Sequence, residues 1–273
     1  MRARILGGLA ISGLLLIAAS GPALAQIAET KHNLGTTGTG SNSFDGTGEL
    51  CVFCHTPHGG DTSANPPLWN RVLPDAGTFT TYDSLGTSSL DGEVLEVGSV
   101  SIACLSCHDG TQAMNVMINA PGSGNFDPTG FTLAGTWSGP ALGATPVGSL
   151  NYGGDNIVNI GTDLQNDHPV GVEYAGGGCT NAAVAAGADC LSTSFNDGDF
   201  RTASRASNGL WFVDVDSDTT REKTDMILYT RTFAAGDGPS VECASCHDPH
   251  TNNDTFLRID NTGSAVCLAC HVK

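Results

Sequence analysis

The chain has 273 residues and a formal charge of −17, because 28 Asp and Glu residues outnumber 11 Lys and Arg residues. So acidic a chain repels phosphate groups, which excludes nucleic acid as a partner and leaves cationic redox partners and metal ions as compatible ones. With 36 glycines, 12 prolines and only 6% aromatic residues, side chains alone are expected to have difficulty forming a large core.

The N-terminal residues 1–25 have the pattern of a secretory signal. Arg2 and Arg4 precede an apolar run from Ile5 to Ala19, and small residues follow it up to Ala25. The run is interrupted by glycines and is short for a membrane span. We therefore expect cleavage after Ala25 and export of the remaining chain without a transmembrane anchor. An uncleaved anchor is the alternative.

Residues 26–50 are polar and rich in Gly and Thr, and the first of four repeated five-residue segments follows them. Each segment reads Cys-x-x-Cys-His, and the four span Cys51–His55, Cys104–His108, Cys243–His247 and Cys267–His271. In this pattern two thiols form thioethers with haem vinyl groups, and the adjacent histidine binds the iron. Zinc sites and disulfides also use paired cysteines, but they leave four identically placed histidines unexplained. The repeats therefore predict four covalently bound haem c groups.

This interpretation assigns a role to eight cysteines and four histidines. The cysteines predicted to form thioethers are Cys51, Cys54, Cys104, Cys107, Cys243, Cys246, Cys267 and Cys270. The predicted proximal iron ligands are His55, His108, His247 and His271. A short helix is expected around each motif, and Gly110 suits the end of the helix at the second one.

Four further histidines lie outside the motifs, one for each predicted haem: His32, His58, His168 and His250. If each binds an iron from the distal side, every iron has two imidazole ligands and no open position, which favours electron transfer over substrate chemistry. Methionine is the competing ligand. The methionines that could compete are Met114, Met117 and Met226.

Two of the distal candidates directly follow a motif. His58 lies three residues after His55, and His250 lies three residues after His247. So short a segment cannot easily circle the same porphyrin to reach its far face. Each of these histidines is therefore expected to bind a neighbouring haem, which would hold two haems close together.

Residues 121–235 separate the second and third motifs and are rich in Gly and Pro. This region contains the distal candidate His168, whose backbone freedom is limited by Pro169. Residues 210–216 and 226–233 are rich in aromatic and β-branched residues and are the best strand candidates.

The same region holds the two cysteines that no motif uses, Cys179 and Cys190. In an exported chain they are expected to form a disulfide, with two free thiols as the alternative. Asp214, Asp216 and Asp218 resemble the start of a calcium loop, but Thr219 and Asp225 replace its usual glycine and glutamate. A solvated acidic turn is favoured over a calcium site.

These segments divide the chain into a signal (1–25), an N-terminal region with haems I and II (26–120), a middle region (121–235) and a C-terminal region with haems III and IV (236–273). We expect a mostly irregular, loop-rich multihaem cytochrome c fold. It would have short helices around the haem motifs, a few short β-strands and the haem stack as its core.

Three phrases carry a resemblance to a known family. Residues 51–58, 166–174 and 242–250 are similar to segments of the extracellular multihaem c-type cytochromes of metal-reducing bacteria. The four-haem filament-forming type (OmcE-type) looks closest and the six-haem OmcS type more distant. The resemblance implies irons with two histidine ligands and a row of haems. In some members one histidine binds a haem of the adjacent subunit, which points here to His58 first and His32 second.

The leading functional hypothesis is an electron-transfer protein, not an enzyme, that forms an extracellular or cell-surface filament. Its partners would be other copies of the chain, redox proteins and extracellular electron acceptors. A monomeric periplasmic electron shuttle is the alternative. A haem enzyme such as a nitrite or hydroxylamine reductase is disfavoured, because it needs an open iron position.

Overall fold

The computed structural model describes residues 26–38, 43–138 and 158–272. The expected signal segment, residues 1–25, lies outside the described residues, so its cleavage stays a prediction. Within those three ranges, every helix is too short or too polar to cross a membrane.

A six-stranded antiparallel sheet dominates the second half of the described chain. Its strands are β5 (Val172–Glu173), β6 (Asp189–Cys190), β7 (Ala203–Arg205), β8 (Trp211–Val213), β9 (Met226–Phe233) and β10 (Gly236–Val241). Neighbouring strands are hydrogen-bonded in the order β5-β10-β9-β8-β7-β6. Two smaller sheets pair β1 (Ser43–Phe44) with β4 (Trp137–Ser138), and β2 (Val116–Asn119) with β3 (Phe126–Thr132).

The pairing of β8 with β9 shows why these residues form a sheet. Trp211 lies opposite Leu228 and Val213 lies opposite Met226, so all four side chains occupy one face. All four are buried in one apolar cluster. Phe212 points to the opposite face and is also buried, so this part of the sheet is covered on both sides.

The expected disulfide is confirmed. Cys179 and Cys190 are bonded, with their Cα atoms 6.0 Å apart, and both are buried in the cluster beneath the sheet. The bridge therefore connects the loop before β6 to β6 itself and fixes the edge of the sheet.

The expectation of a mostly irregular, loop-rich fold with a haem stack as its core is wrong. The six-stranded sheet and three clusters of buried side chains form the core instead. The few aromatic residues are concentrated rather than spread out: Tyr174, Phe195 and Trp211 all lie in the cluster that packs on the sheet. Low average aromatic content therefore did not prevent a side-chain core.

Three α-helices carry haem motifs: α1 (Ser99–His108), α2 (Cys243–Cys246) and α3 (Ala265–Cys270). The first motif forms a turn instead. Gly110 has a φ of +73° just past the end of α1, as its position suggested. Short 3₁₀ helices cover Gln26–Glu29, Ala76–Thr78, Tyr82–Leu85, Pro121–Ser123, Tyr174–Gly176, Ser192–Ser194, Asp254–Phe256 and Thr262–Ser264.

Candidate haem-binding motifs

Helix α1 shows why the Cys-x-x-Cys-His spacing suits haem attachment. Cys104, Cys107 and His108 stand at positions i, i+3 and i+4, which share one face of a helix. Leu105 and Ser106 point to the other side and are buried in the protein. The helix therefore presents two thiols and one imidazole together on its partly exposed side.

The motif histidines are oriented by backbone carbonyls. Nδ1 lies 2.7 Å from the Pro67 oxygen in His55, 2.7 Å from the Val158 oxygen in His108 and 2.8 Å from the Thr255 oxygen in His247. A carbonyl only accepts hydrogen bonds, so Nδ1 carries the proton and donates it. The lone pair of each ring is then on Nε2, the atom left to bind a metal.

Two pairs of histidine rings are separated by nearly the same distance, with an angle between the ring planes of 18° in the first pair and 77° in the second. The ring centres of His55 and His250 are 6.3 Å apart, and those of His108 and His32 are 6.2 Å apart. An imidazole nitrogen lies ~2 Å from a bound metal, so two imidazoles on opposite sides of one ion have ring centres about 6 Å apart. The residues present therefore fit a haem iron with two histidine ligands at each of these pairs.

His32 reaches its position from the polar N-terminal segment, residues 26–50. Its ring stacks on Phe256 with ring centres 4.2 Å apart. Burial lowers the pKa of His32 to about 4, and nearby His108 adds to this, whereas the Pro249 carbonyl opposes it. Its Nδ1 is buried and has no hydrogen-bond partner among the described residues. The ring is therefore held neutral, which is the form that binds metals.

His250 is supported by Asp248. The carboxylate oxygen lies 3.1 Å from Nδ1 of His250 and also accepts its backbone N–H at 2.9 Å. Burial tends to raise the pKa of Asp248, but these two bonds together with Lys223 and Arg258 hold it well below its usual range. A fixed carboxylate of this kind orients a histidine and raises its basicity as a ligand.

Motifs that follow one another in the sequence lie close together in the structure. Cys54 of the first and Cys107 of the second pack against the same apolar cluster. Cys104 of the second motif lies near Cys243 of the third, which raises the pKa of the Cys104 thiol. Cys246 and Cys270 of the third and fourth motifs pack against the sheet cluster.

The second and third motifs are also joined by polar contacts. Ser101 on α1 donates a hydrogen bond to Glu242 at 2.5 Å and accepts one from the Cys243 N–H at 3.0 Å. Glu242 in turn accepts a hydrogen bond from Arg231 on β9 at 2.8 Å. The buried carboxylate thus connects α1, α2 and the sheet.

The fourth motif is fixed by the segment between β6 and β7. The N–H of Arg201 bonds to the Cys270 carbonyl at 2.8 Å, and its Nε bonds to the Leu268 carbonyl at 2.6 Å. The rings of Phe200 and His271 are 4.5 Å apart. Motif spacing gave no sign of these contacts, because they come from residues distant in sequence.

The remaining two distal candidates, His58 and His168, are not paired with another histidine in the described residues. His58 and His168 are exposed, and in the three described ranges neither ring faces another histidine. The competing methionines Met114, Met117 and Met226 are buried in apolar clusters, which accounts for them without metal ligation. The assignment of His58 and His168 as ligands therefore stays a prediction.

The acidic turn brings three carboxylates together. Oxygens of Asp214, Asp216 and Asp218 lie within 4.8 Å of one another. Both carboxylate oxygens of Asp214 accept backbone N–H groups, from Ser217 at 2.6 Å and Thr219 at 2.8 Å. These hydrogen bonds fix the shape of the turn, and the choice of a solvated acidic turn over a calcium site stays a prediction.

Comparison with known proteins gives a match to a family model over part of the chain. Residues 234–273, which hold the third and fourth motifs, match the family model described as a doubled CXXCH motif. No curated protein matches the chain. The doubled motif indicates covalently bound haem c and a haem-binding electron-transfer protein of the multihaem c-type cytochrome kind.

Proposed function

We propose that the chain binds four haem c groups and transfers electrons, and that it assembles into an extracellular filament. The observation that carries the electron-transfer part is the separation of the imidazole pairs, 6.3 Å for His55 and His250 and 6.2 Å for His108 and His32. Each pair would close both axial positions of one iron. A closed iron exchanges electrons without binding a substrate.

A bound haem supplies one-electron redox chemistry, and the chain supplies the rest. The carbonyls of Pro67, Val158 and Thr255 fix the motif imidazoles in one tautomer and orientation. Buried apolar side chains pack against Cys54 and Cys107 and give the attachment sites apolar surroundings on that side. Rigid ligands and apolar surroundings reduce the rearrangement that accompanies a change of charge.

The contacts between motifs favour transfer along the chain. Because the Cys243 N–H bonds to Ser101 on α1, the helix that carries the second motif, haems attached to the second and third motifs would be neighbours. His250 connects the third motif to the first by standing opposite His55. Such connections support a continuous path for electrons rather than isolated redox sites.

Filament formation is the more specific part of the proposal, and the exposure of His58 supports it. Its side chain is exposed and lies just after the first motif, where it is available to another molecule. His32, the second choice as an inter-subunit ligand, already faces His108 of its own chain. His58 is therefore preferred as the ligand donated to a neighbouring subunit.

Spectroscopy of the purified protein with its native haems tests the electron-transfer proposal. Intact mass and haem content should give four haems per chain, and the oxidised protein should show only low-spin iron. His250→Ala should convert one haem to a high-spin or substituted form while all four stay covalently attached. A high-spin haem in the unaltered protein would instead favour an enzyme with an open iron.

A separate experiment tests assembly. His58→Ala should abolish filaments in negative-stain micrographs while leaving the haem content unchanged. His168→Ala is the comparison, because His168 is also exposed but is predicted to bind an iron of its own chain, so this variant should still form filaments. Particles of a single chain's mass in the unaltered protein would favour a periplasmic shuttle and leave the haem proposal intact.

A further inference from the structure

Arg71 is a buried cation with no acidic partner. Its side chain is fully buried, and in the described part of the chain no carboxylate forms an ion pair with it. Burial of an unpaired charge is costly, so such a residue needs a structural or functional explanation.

Four backbone carbonyls hold the guanidinium in place. Its Nη1 donates to Met114 at 2.8 Å and Val116 at 3.0 Å, and its Nη2 donates to Ser106 at 2.9 Å and Ala113 at 3.1 Å. These carbonyl dipoles reduce the cost of burial but carry no net charge. The positive charge therefore remains, and it is fixed in one position.

Arg71 lies between the first two haem motifs. Ser106, one of its acceptors, is part of the second motif. Its neighbour Asn70 donates its backbone N–H to Cys54 at 2.9 Å and its side-chain amide to Val52 at 2.7 Å, both in the first motif.

A fixed positive charge between the first two motifs changes the reduction potential of a haem bound nearby. Reduction of a haem by one electron from a redox partner lowers the net charge of its site by one unit. A nearby cation favours the less positive state, and a low-dielectric interior strengthens the effect. Asp109 beside His108 acts in the opposite direction, but both its oxygens accept hydrogen bonds from Thr111.

We infer that Arg71 raises the reduction potentials of the haems at the first two motifs. This inference rests on the proposed haem sites. Arg71 acts through its fixed positive charge and not as an iron ligand, because its guanidinium bonds to backbone carbonyls.

Redox titration of the complete protein, with haems assigned by NMR, tests the inference. Arg71→Met should reduce the ratio of reduced to oxidised iron at the first two motifs by about tenfold or more at a fixed potential, which corresponds to 59 mV for one electron. The other two haems should shift less. Arg71→Lys keeps the charge and should restore most of the potential, although it cannot make all four hydrogen bonds.

Arg205→Gln is the matched control, because Arg205 also bonds to backbone carbonyls, at Asn181 and Val184, and stands over Trp211 away from the first two motifs. It should leave all four potentials unchanged.

Equal shifts in the Arg71→Met and Arg71→Lys variants would mean that Arg71 acts only through structure, and that result overturns the inference. If Arg71→Met does not mature, Arg71→Gln takes its place, because it removes the charge but keeps hydrogen-bond donors, and unchanged potentials at the first two haems in that variant overturn the inference. Loss of low-spin haem in the unaltered protein would instead contradict the proposed function.

Discussion

Replacement of Glu242 tests how the sheet and the haem-bearing helices are held together. Its side chain is fully buried and accepts hydrogen bonds from Arg231, Ser101 and Ser240 at 2.8, 2.5 and 3.1 Å. Burial raises the pKa of Glu242, whereas these partners lower it. The carboxylate is therefore the centre of a network that joins β9, α1 and the start of the third motif.

The structure sets the expected size of the effect. Removal of one partner from a buried ion pair costs ~3–5 kcal/mol, because the other charge is left unpaired. Arg231 is 17% exposed and keeps a bond to the Glu96 carbonyl at 2.9 Å, so the lower end applies. We expect Glu242→Ala to lower the free energy of unfolding by about 3 kcal/mol.

Urea denaturation of the haem-loaded protein, followed by far-ultraviolet circular dichroism, measures this change. Glu242→Gln keeps the shape and relieves the cost of a buried charge, so it should lose less than Glu242→Ala. Glu49→Ala is the control, because Glu49 is exposed, and it should stay within ~0.5 kcal/mol of the unaltered protein.

A double-mutant cycle separates the ion pair from the hydroxyl contacts. Arg231→Met and Glu242→Gln, alone and together, should show a coupling of ~0.5–3 kcal/mol. Additive effects of the two changes, or a Glu242→Ala protein as stable as the Glu49→Ala control, would refute the network as the connection between sheet and helices.

Three further changes have expected outcomes that denaturation of the haem-loaded protein can check. Replacement of Cys179 and Cys190 by Ala should cost about 3 kcal/mol, since the bridge closes a short loop, and an unchanged midpoint would contradict this. Trp211→Ala should cost ~3–5 kcal/mol, because it empties a buried site, whereas Trp211→Phe should cost clearly less. Burial raises the pKa of Glu173, so the folded state binds its proton more tightly and this contribution to stability is lost as pH rises. Glu173→Gln should therefore be more stable than the unaltered protein at pH ~7 and equal to it near pH ~4, and the opposite trend would contradict the assignment.

Local sequence signals predicted local features well. Residues 226–233 were expected to form a strand and do so throughout as β9, while the 210–216 candidate is reduced to Trp211–Val213. The disulfide followed from counting cysteines and is confirmed. Each of these features depends on residue types within a short segment or on a simple count.

The sheet as a whole could not be predicted in the same way. β5 has only two residues, and its partner β10 lies more than 60 positions away in the sequence. Two residues are too few to show an alternating pattern, and β10 contains two glycines and a proline. β10 is stabilised by its neighbours β5 and β9 rather than by its own composition. The expectation of a loop-rich fold was wrong for this reason.

The haem motifs themselves show the same division between local and distant information. Cys-x-x-Cys-His identifies the attachment residues, but the acceptors that orient the imidazoles come from Pro67, Val158 and Thr255, outside every motif. A carbonyl can come from any residue, so no residue type marks these positions. Pro67 and Val158 lie in turns and Thr255 lies in a short 3₁₀ helix, so all three carbonyls stand outside the α-helices and strands. Turns and short helices of this kind therefore have a specific use, because they supply free acceptors that hold the iron-binding rings in place.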